Sequence, residues 1–208
     1  DTHEETIKAM AVVLRTYIAY MSAGGRTPES QWLGQPWLSA QERLAKGMDE
    51  EKLRKAVAET EGCKILHNGE PILPLYCLLS NGRTRNFSDV WGGDLAYLTS
   101  VDSPWDKSSS DYMEKVFLSR KKIIRVLAEA DGMENSWDQL SESMVQIIEK
   151  DDSGYIRQMQ IGGQTYSGED LRCRLGLPSA CFDYTVKNDG IEFTCYGRGH
   201  GVGLSLYG

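Results

Sequence analysis

Phe182-Asp183-Tyr184-Thr185-Val186-Lys187-Asn188-Asp189-Gly190-Ile191-Glu192-Phe193-Thr194-Cys195-Tyr196 reads as two strands folded about a tight turn. Phe182 to Val186 and Ile191 to Tyr196 carry β-branched and aromatic residues, and Asn188-Asp189-Gly190 supplies the positive-φ chemistry of a hairpin turn. Upstream, Tyr155 to Ile161 and Gln164 to Tyr166 flank Gly162-Gly163 as a second hairpin, and Ser167 caps a short helix through about Leu175. Further back, Tyr112 to Leu118 reads as a strand. Ser119 then caps a helix over Arg120 to Ala130, with Ile123, Ile124, Val126 and Leu127 as its apolar members and Gly132 as its stop. Hairpins and helices follow one another without a regular strand-helix-strand rhythm. The fold class is therefore α+β, with an antiparallel or mixed sheet and flanking helices.

The N-terminal third is mostly helical. From Glu4 to Met21, Ile7, Met10, Leu14, Tyr17, Ile18 and Met21 recur at three-and-four spacing, the pattern of an amphipathic helix. Thr2-His3-Glu4-Glu5 reads as its capping box, with Glu5 reaching back to Thr2, and Gly24-Gly25 followed by Pro28 as its end. Trp32 and Trp37 lie in a loop, Ser39-Ala40-Gln41-Glu42 is a second capping box, and short helices are expected at 40–46 and 49–60. A third hairpin is expected from Cys63 to His67, through Asn68-Gly69, into Ile72 to Leu79, its second strand bulged or at an edge because of Pro74. Ser80 to Thr84 is a polar turn, Trp91-Gly92-Gly93 punctuates the chain, and Tyr97 to Val101 is expected as a short strand. No repeat or low-complexity tract is present.

At 208 residues, 40% hydrophobic and 25% charged, the chain has the makings of a packed core. Its net charge of -7 repels polyanions, so nucleic acid is not an expected partner. The longest apolar run, Ala9 to Leu14, is far below the roughly 20 residues of a spanning helix. Because the sequence opens on Asp1, a membrane anchor or leader is expected outside it. Five cysteines, at 63, 77, 173, 181 and 195, are an odd number without a C-x-x-C pair, so neither a disulfide framework nor a zinc ribbon is indicated.

Chemistry is underdetermined by spacing alone. Gly197-Arg198-Gly199-His200-Gly201-Val202-Gly203 has neither P-loop nor G-x-G-x-x-G spacing, which leaves an imidazole in backbone able to approach a ligand, or a bulged terminal strand. His3-Glu4-Glu5-Thr6-Ile7 is not a zinc-protease motif. Cys63, His67 and Cys77 read as a turn histidine between two small buried thiols in preference to a ligand set. A helix N-terminus favours a carboxylate, so Glu5 as a general acid requires burial or a covering loop.

Longer blocks carry more. Glu5-Thr6-Ile7-Lys8-Ala9-Met10-Ala11-Val12-Val13-Leu14-Arg15-Thr16-Tyr17 resembles the E-A-L-K-A-Q-A-V-A-A-R-T-Y signature of the stage II sporulation protein D family, a group of peptidoglycan lytic transglycosylases. Tyr76 to Thr84 is similar to its Y-H-S-T-S-G-G-x-T segment. Val90 to Gly93, Tyr97-Leu98 and Val101 to Trp105 follow in order, and Gly199 to Gly208 resembles G-H-G-V-G-M-S-Q-Y-G.

The resemblance implies one catalytic domain over 1–208, with a helical insertion at about 27–61 and an elongated surface groove. It also implies cleavage of the bond between N-acetylmuramic acid and N-acetylglucosamine in peptide-free glycan strands, leaving a 1,6-anhydro end. By residue matching, Glu5 is the catalytic acid. Arg83 and Arg198 are the expected contacts for the lactyl carboxylates, and Ser80, Thr84, His200, Ser205 and Tyr207 for sugar hydroxyls and acetamido groups. The implied setting is extracytoplasmic, on the cell-wall side of the mother-cell membrane, in septal wall degradation and engulfment alongside a partner amidase. Some members of the family bind zinc near the cleft, which leaves zinc open here, although the chemistry requires no cofactor and no metal ligand is assigned. The sequence departs from the family at Cys77, Leu78, Leu79 and Asn81, and at Met10 and Leu206. Those departures keep a second reading open, a non-catalytic peptidoglycan-binding module that stimulates an amidase.

Overall fold

The computed structural model describes residues 3–23, 25, 38–131 and 141–208. The expectations placed on Thr2, Gly24, Pro28, Trp32, Trp37 and Gly132 lie outside the described residues. The chain divides into two compact units, Asp1–Leu75 and Tyr76–Gly208.

In the first unit, helix α1 (Glu4–Met21) packs on α3 (Glu50–Glu59), with α2 (Ala40–Ala45) between them in sequence. The N-cap of α1 is His3, whose Nδ1 accepts the Glu5 N–H at 3.3 Å, so the cap expected at Thr2 is supplied one residue later by an imidazole. The expected apolar stripe is shifted too. Val13 and Thr16 are the fully buried positions, whereas Ile18 is exposed, because α3 approaches closely at Ala56 and the Thr16 hydroxyl accepts the Ile65 N–H at 3.0 Å. The Ser39–Glu42 capping box forms as expected. Arg15 runs across to the end of α3 and donates to the Thr60 and Cys63 carbonyls at 2.6 and 3.0 Å, which satisfies orphan acceptors at the negative end of the helix.

The hairpin that follows is shorter than expected: β1 (Leu66–His67) pairs with β2 (Glu70–Pro71) around Asn68 and Gly69, both at positive φ. Pro71 and Pro74 have no N–H to extend the ladder, so the strand expected over Ile72 to Leu79 breaks, and its last part, β3 (Tyr76–Cys77), pairs elsewhere.

The second unit holds the larger core. After β3 and the single-turn helix α4 (Ser88–Trp91) come β4 (Met113–Ser119), α5 (Arg120–Asp131), β5 (Val145–Lys150), β6 (Ile156–Ile161), β7 (Gln164–Ser167) and α6 (Gly168–Leu175). The chain then forms β8 (Phe182–Lys187), β9 (Gly190–Tyr196) and β10 (Leu204–Ser205). The hairpin expected about Asn188-Asp189-Gly190 is β8–β9, in register Phe182↔Cys195 through Lys187↔Gly190, and β4 pairs with the other edge of β9. A second antiparallel sheet runs β5-β6-β7, and β3 pairs with β10 in parallel.

Alternate residues of both sheets and the inner faces of α5 and α6 bury Leu118, Ile123, Leu127, Ile156, Met159, Ile161, Leu171, Phe182, Ile191 and Phe193 in one cluster. The Phe182 and Phe193 rings meet edge to face at 5.2 Å. The fold is α+β. No helix among the described residues is long and apolar enough to cross a membrane.

Tyr97 to Val101 forms no strand. Its backbone is held by single contacts instead, Val101 to Thr84 and Ser100 to Asn86 Oδ1.

Candidate functional site

Glu5 sits in the first turn of α1 with 71% of its side chain exposed. Its Oε1 accepts from Lys8 Nζ at 2.9 Å, one turn along the helix. Lys8 is shared: Glu59 of α3 lies 2.7 Å from the same ammonium and Glu4 3.6 Å. Glu59 foremost, and Glu5 after it, hold the Lys8 ammonium above the usual lysine range. Lys55 bonds Glu4 at 2.9 Å and holds that carboxyl below the usual glutamate range.

In the second unit the matched loops meet around one residue that the sequence reading stopped just short of. Asp106, fully buried in the 3₁₀ turn Pro104–Ser108, accepts the Ser80 N–H at 2.9 Å and the Ser80 hydroxyl at 2.5 Å through Oδ2. Its Oδ1 accepts the Ser205 hydroxyl at 2.7 Å. Ser80 and Ser205 therefore spend their hydroxyls on a buried clamp that joins three segments. Thr84 is buried as well, its Oγ1 accepting the Val101 N–H at 2.9 Å and its own N–H donating to the Val101 carbonyl at 2.8 Å. The signal for Asp106 was its place one residue beyond the Val101-to-Trp105 block.

The two arginines are at the surface. Arg83 Nε donates to Ser100 Oγ at 2.9 Å and lies 3.8 Å from Asp102, while Arg198 is engaged by Glu114 at 2.5 Å. Tyr207 is exposed, its hydroxyl 3.5 Å from Ser108 Oγ.

His200 is half-buried, with its ring edge-on to exposed Trp91 at 5.1 Å. Its Nδ1 accepts the Val202 N–H at 3.1 Å. Burial, aided by the Arg172 and Arg85 charges and opposed by Glu169, holds the imidazole below the usual histidine range. It is a neutral ring in a bonded corner of the tail.

The glycines of that tail serve protein contacts. At Gly201, φ is 78° and a Cβ would stand 2.7 Å from the Tyr155 ring; at Gly197, φ is also 78° and a Cβ would meet the Ser80 carbonyl at 2.8 Å. The close approach expected toward a ligand is made here toward Tyr155 and Ser80. Bridges Leu79↔Arg198, Arg85↔Val202 and Ser179↔Gly199 stitch the tail along its length.

A second buried device escaped the sequence reading. Arg85, closed to solvent, donates from Nε to Asp151 Oδ2 at 2.7 Å and stacks over the Tyr155 ring at 4.6 Å. Asp151 Oδ1 accepts the Ser153 and Tyr155 N–H groups. Tyr155 in turn accepts the Asn81 N–H at 3.0 Å, which fixes the loop that carries Arg83.

All five cysteines are free thiols, and burial pushes Cys77 up to about 12, so it is neither nucleophile nor base at neutral pH. Among the described residues no three His, Cys, Asp or Glu side chains converge on a point where a metal ion could be held.

Comparison with known proteins finds one matching family model and similar curated sequences. The family described as Stage II sporulation protein matches residues 1–67. Stage II sporulation protein D of Bacillus subtilis (strain 168) is 32% identical over 223 aligned positions that cover 98% of this chain and 61% of that relative. Its counterpart in Bacillus amyloliquefaciens is 30% identical over 217 positions, with the same shares, 98% and 61%. The chain thus spans about three fifths of the length of these curated relatives.

Proposed function

We propose that the chain, which is similar to stage II sporulation protein D over 98% of its length, acts in sporulation as a peptidoglycan lytic transglycosylase, with Glu5 as its single acid and base. The observation that supports the reading is the match of Glu5, at the start of α1, to the glutamate that opens the family's signature; its side chain is exposed and paired with Lys8, so the burial a general acid requires has to come from the bound strand. A sugar covering Glu5 would supply that desolvation.

The protonated carboxyl donates to the glycosidic oxygen as the bond to muramic C1 breaks and positive charge develops at that carbon. The 6-hydroxyl of the same muramic residue then attacks C1, and its proton returns to the Glu5 carboxylate. No water is consumed and Glu5 ends as it began. Since nucleophile and electrophile belong to one sugar ring, effective molarity stands in for the second carboxylate of an ordinary glycosidase. The proposed setting is the cell-wall side of the mother-cell membrane, with an amidase that removes stem peptides upstream of this step.

Mass analysis of the products from peptide-free glycan strands tests this. Anhydro-muramic ends are expected with the native protein and none with Glu5→Gln; their persistence in that variant excludes Glu5.

One observation favours a second reading. The segment similar to Y-H-S-T-S offers buried Cys77 and Leu79 and exposed Leu78 in place of an imidazole and hydroxyls. A binding module that stimulates an amidase would bind strands, accelerate the amidase and give no anhydro sugar.

A further inference from the structure

The 3₁₀ turn Pro104–Ser108 has a buried anchor and two outward-facing neighbours. Asp106 fixes it by three hydrogen bonds to Ser80 and Ser205. On either side of that anchor, Trp105 is 69% exposed and Lys107 is exposed. Lys107 lies across the Ser80–Thr84 loop at Gly82, where a Cβ would stand 2.2 Å from its Cε and 3.1 Å from its Nζ. Glycine at 82, with φ 102°, is what lets the lysine stem lie there.

The two arginines expected to meet a carboxylate already have acidic neighbours, Glu114 at Arg198 and Asp102 at Arg83. Lys107 differs. Among the described residues no carboxylate lies within ion-pair distance of its Nζ, in a chain whose net charge is -7. Ser108, next in the turn, reaches the hydroxyl of exposed Tyr207 at 3.5 Å.

We propose that Lys107 is the carboxylate-binding residue of a saccharide subsite on this turn, with Trp105 as the apolar platform beside it. The ligand class is a pyranose bearing a carboxylate substituent. The ammonium takes the carboxylate in a charge-assisted hydrogen bond, the indole takes the apolar face of the ring, and the Tyr207 hydroxyl serves ring hydroxyls. The cation is positioned before the ligand arrives, because its stem rests on backbone that Asp106 holds in place, so less side-chain freedom is lost on binding. This inference rests on the glycan reading above and assigns its charge recognition to one residue.

The test is binding of peptide-free glycan strands, with their carboxylates intact or reduced to alcohols, to the native protein, to Lys107→Met and to Lys107→Arg. The native protein is expected to prefer intact strands by about tenfold, Lys107→Met to lose that preference while still binding reduced strands, and Lys107→Arg to retain most of it. A preference undiminished in Lys107→Met overturns the proposal and leaves the glycan reading standing. Failure of both strand types to bind the native protein overturns the glycan reading and this inference with it. A second readout bears on the lysine alone: N-acetylmuramic acid, and not N-acetylglucosamine, is expected to protect Lys107 from reductive methylation, and equal protection by the two sugars overturns the assignment.

Discussion

Arg85 and Asp151 form an ion pair, Nε to Oδ2 at 2.7 Å, that is closed to solvent at both ends. Glu169 Oε2 lies 3.8 Å from Arg85 Nη1 as a second carboxylate, so removing Asp151 leaves the buried guanidinium with only this more distant acidic partner among the described residues, which costs more than the pair itself contributes. Asp151→Ala is therefore expected to destabilise the protein by about 3–5 kcal/mol, measured as a lower urea midpoint with an unchanged slope. Arg85→Met with Asp151→Leu together is expected to cost less than Asp151→Ala alone, and an equal or greater loss in the double variant would show that the charge is not what the site has to balance.

The Asp106 clamp makes a different demand. Ser205→Ala leaves Asp106 Oδ1 buried without its donor, a loss of about 1–3 kcal/mol, and Ser80→Ala removes one of the two donors at Oδ2, where the backbone N–H remains, so its cost is expected to be smaller. Because both changes open one hydrogen-bonded hub, their costs are expected to fall short of additive in a double-mutant cycle. Strict additivity in thermal unfolding would mean that the three residues do not act as a unit.

Glu5 should separate activity from stability. Its side chain is mostly exposed and its ion pair with Lys8 is one of three, so Glu5→Gln is expected to change folding stability by no more than about 0.5 kcal/mol. Anhydro-product formation should vanish in the same preparation. A variant that loses activity only because it unfolds would show both changes at once.

His200 gives a pH signature. Burial holds its imidazole below the usual histidine value, so between that depressed value and about 6.5 the unfolded chain binds a proton that the folded protein does not. Stability is thus whole above about pH 6.5 and falls as the pH drops toward the folded-state value. In His200→Gln this slope is expected to flatten between about pH 7 and 5, above the range in which most carboxylates titrate. Identical slopes in the two proteins would remove His200 as the cause.

What was legible in the sequence was what is local. The helices α1, α5 and α6 announced themselves through three-and-four periodicity or a capping hydroxyl, and the β8–β9 hairpin through Asn188-Asp189-Gly190. Strand β5 was missed. Its ladder to β6 shifts register between Ile147 and Lys150, which breaks alternation and leaves Ile148 exposed. The cap of α1 was misplaced by one residue because an imidazole is a less usual capping group than the threonine beside it.

In the candidate site, the residues that organise the loops were the illegible ones. Asp106 meets Ser80 and Ser205 across 26 and 99 residues of chain, and Arg85 meets Asp151 across 66, separations at which no local pattern survives. Lys107 lies in a run of polar residues, Lys107 to Asp111, and only its position over Gly82 sets it apart.

The tail from Gly197 to Gly203 has one further consequence, for anyone who would redesign it. All four glycines are at positive φ, and those at 197, 199 and 201 abut protein atoms, whereas Arg198 and His200 between them keep part of their surface open. A library that randomises the whole heptapeptide will spend most of its members on chains that cannot close. One that fixes every odd-numbered position and varies 198 and 200 alone samples new surface chemistry on an unaltered frame.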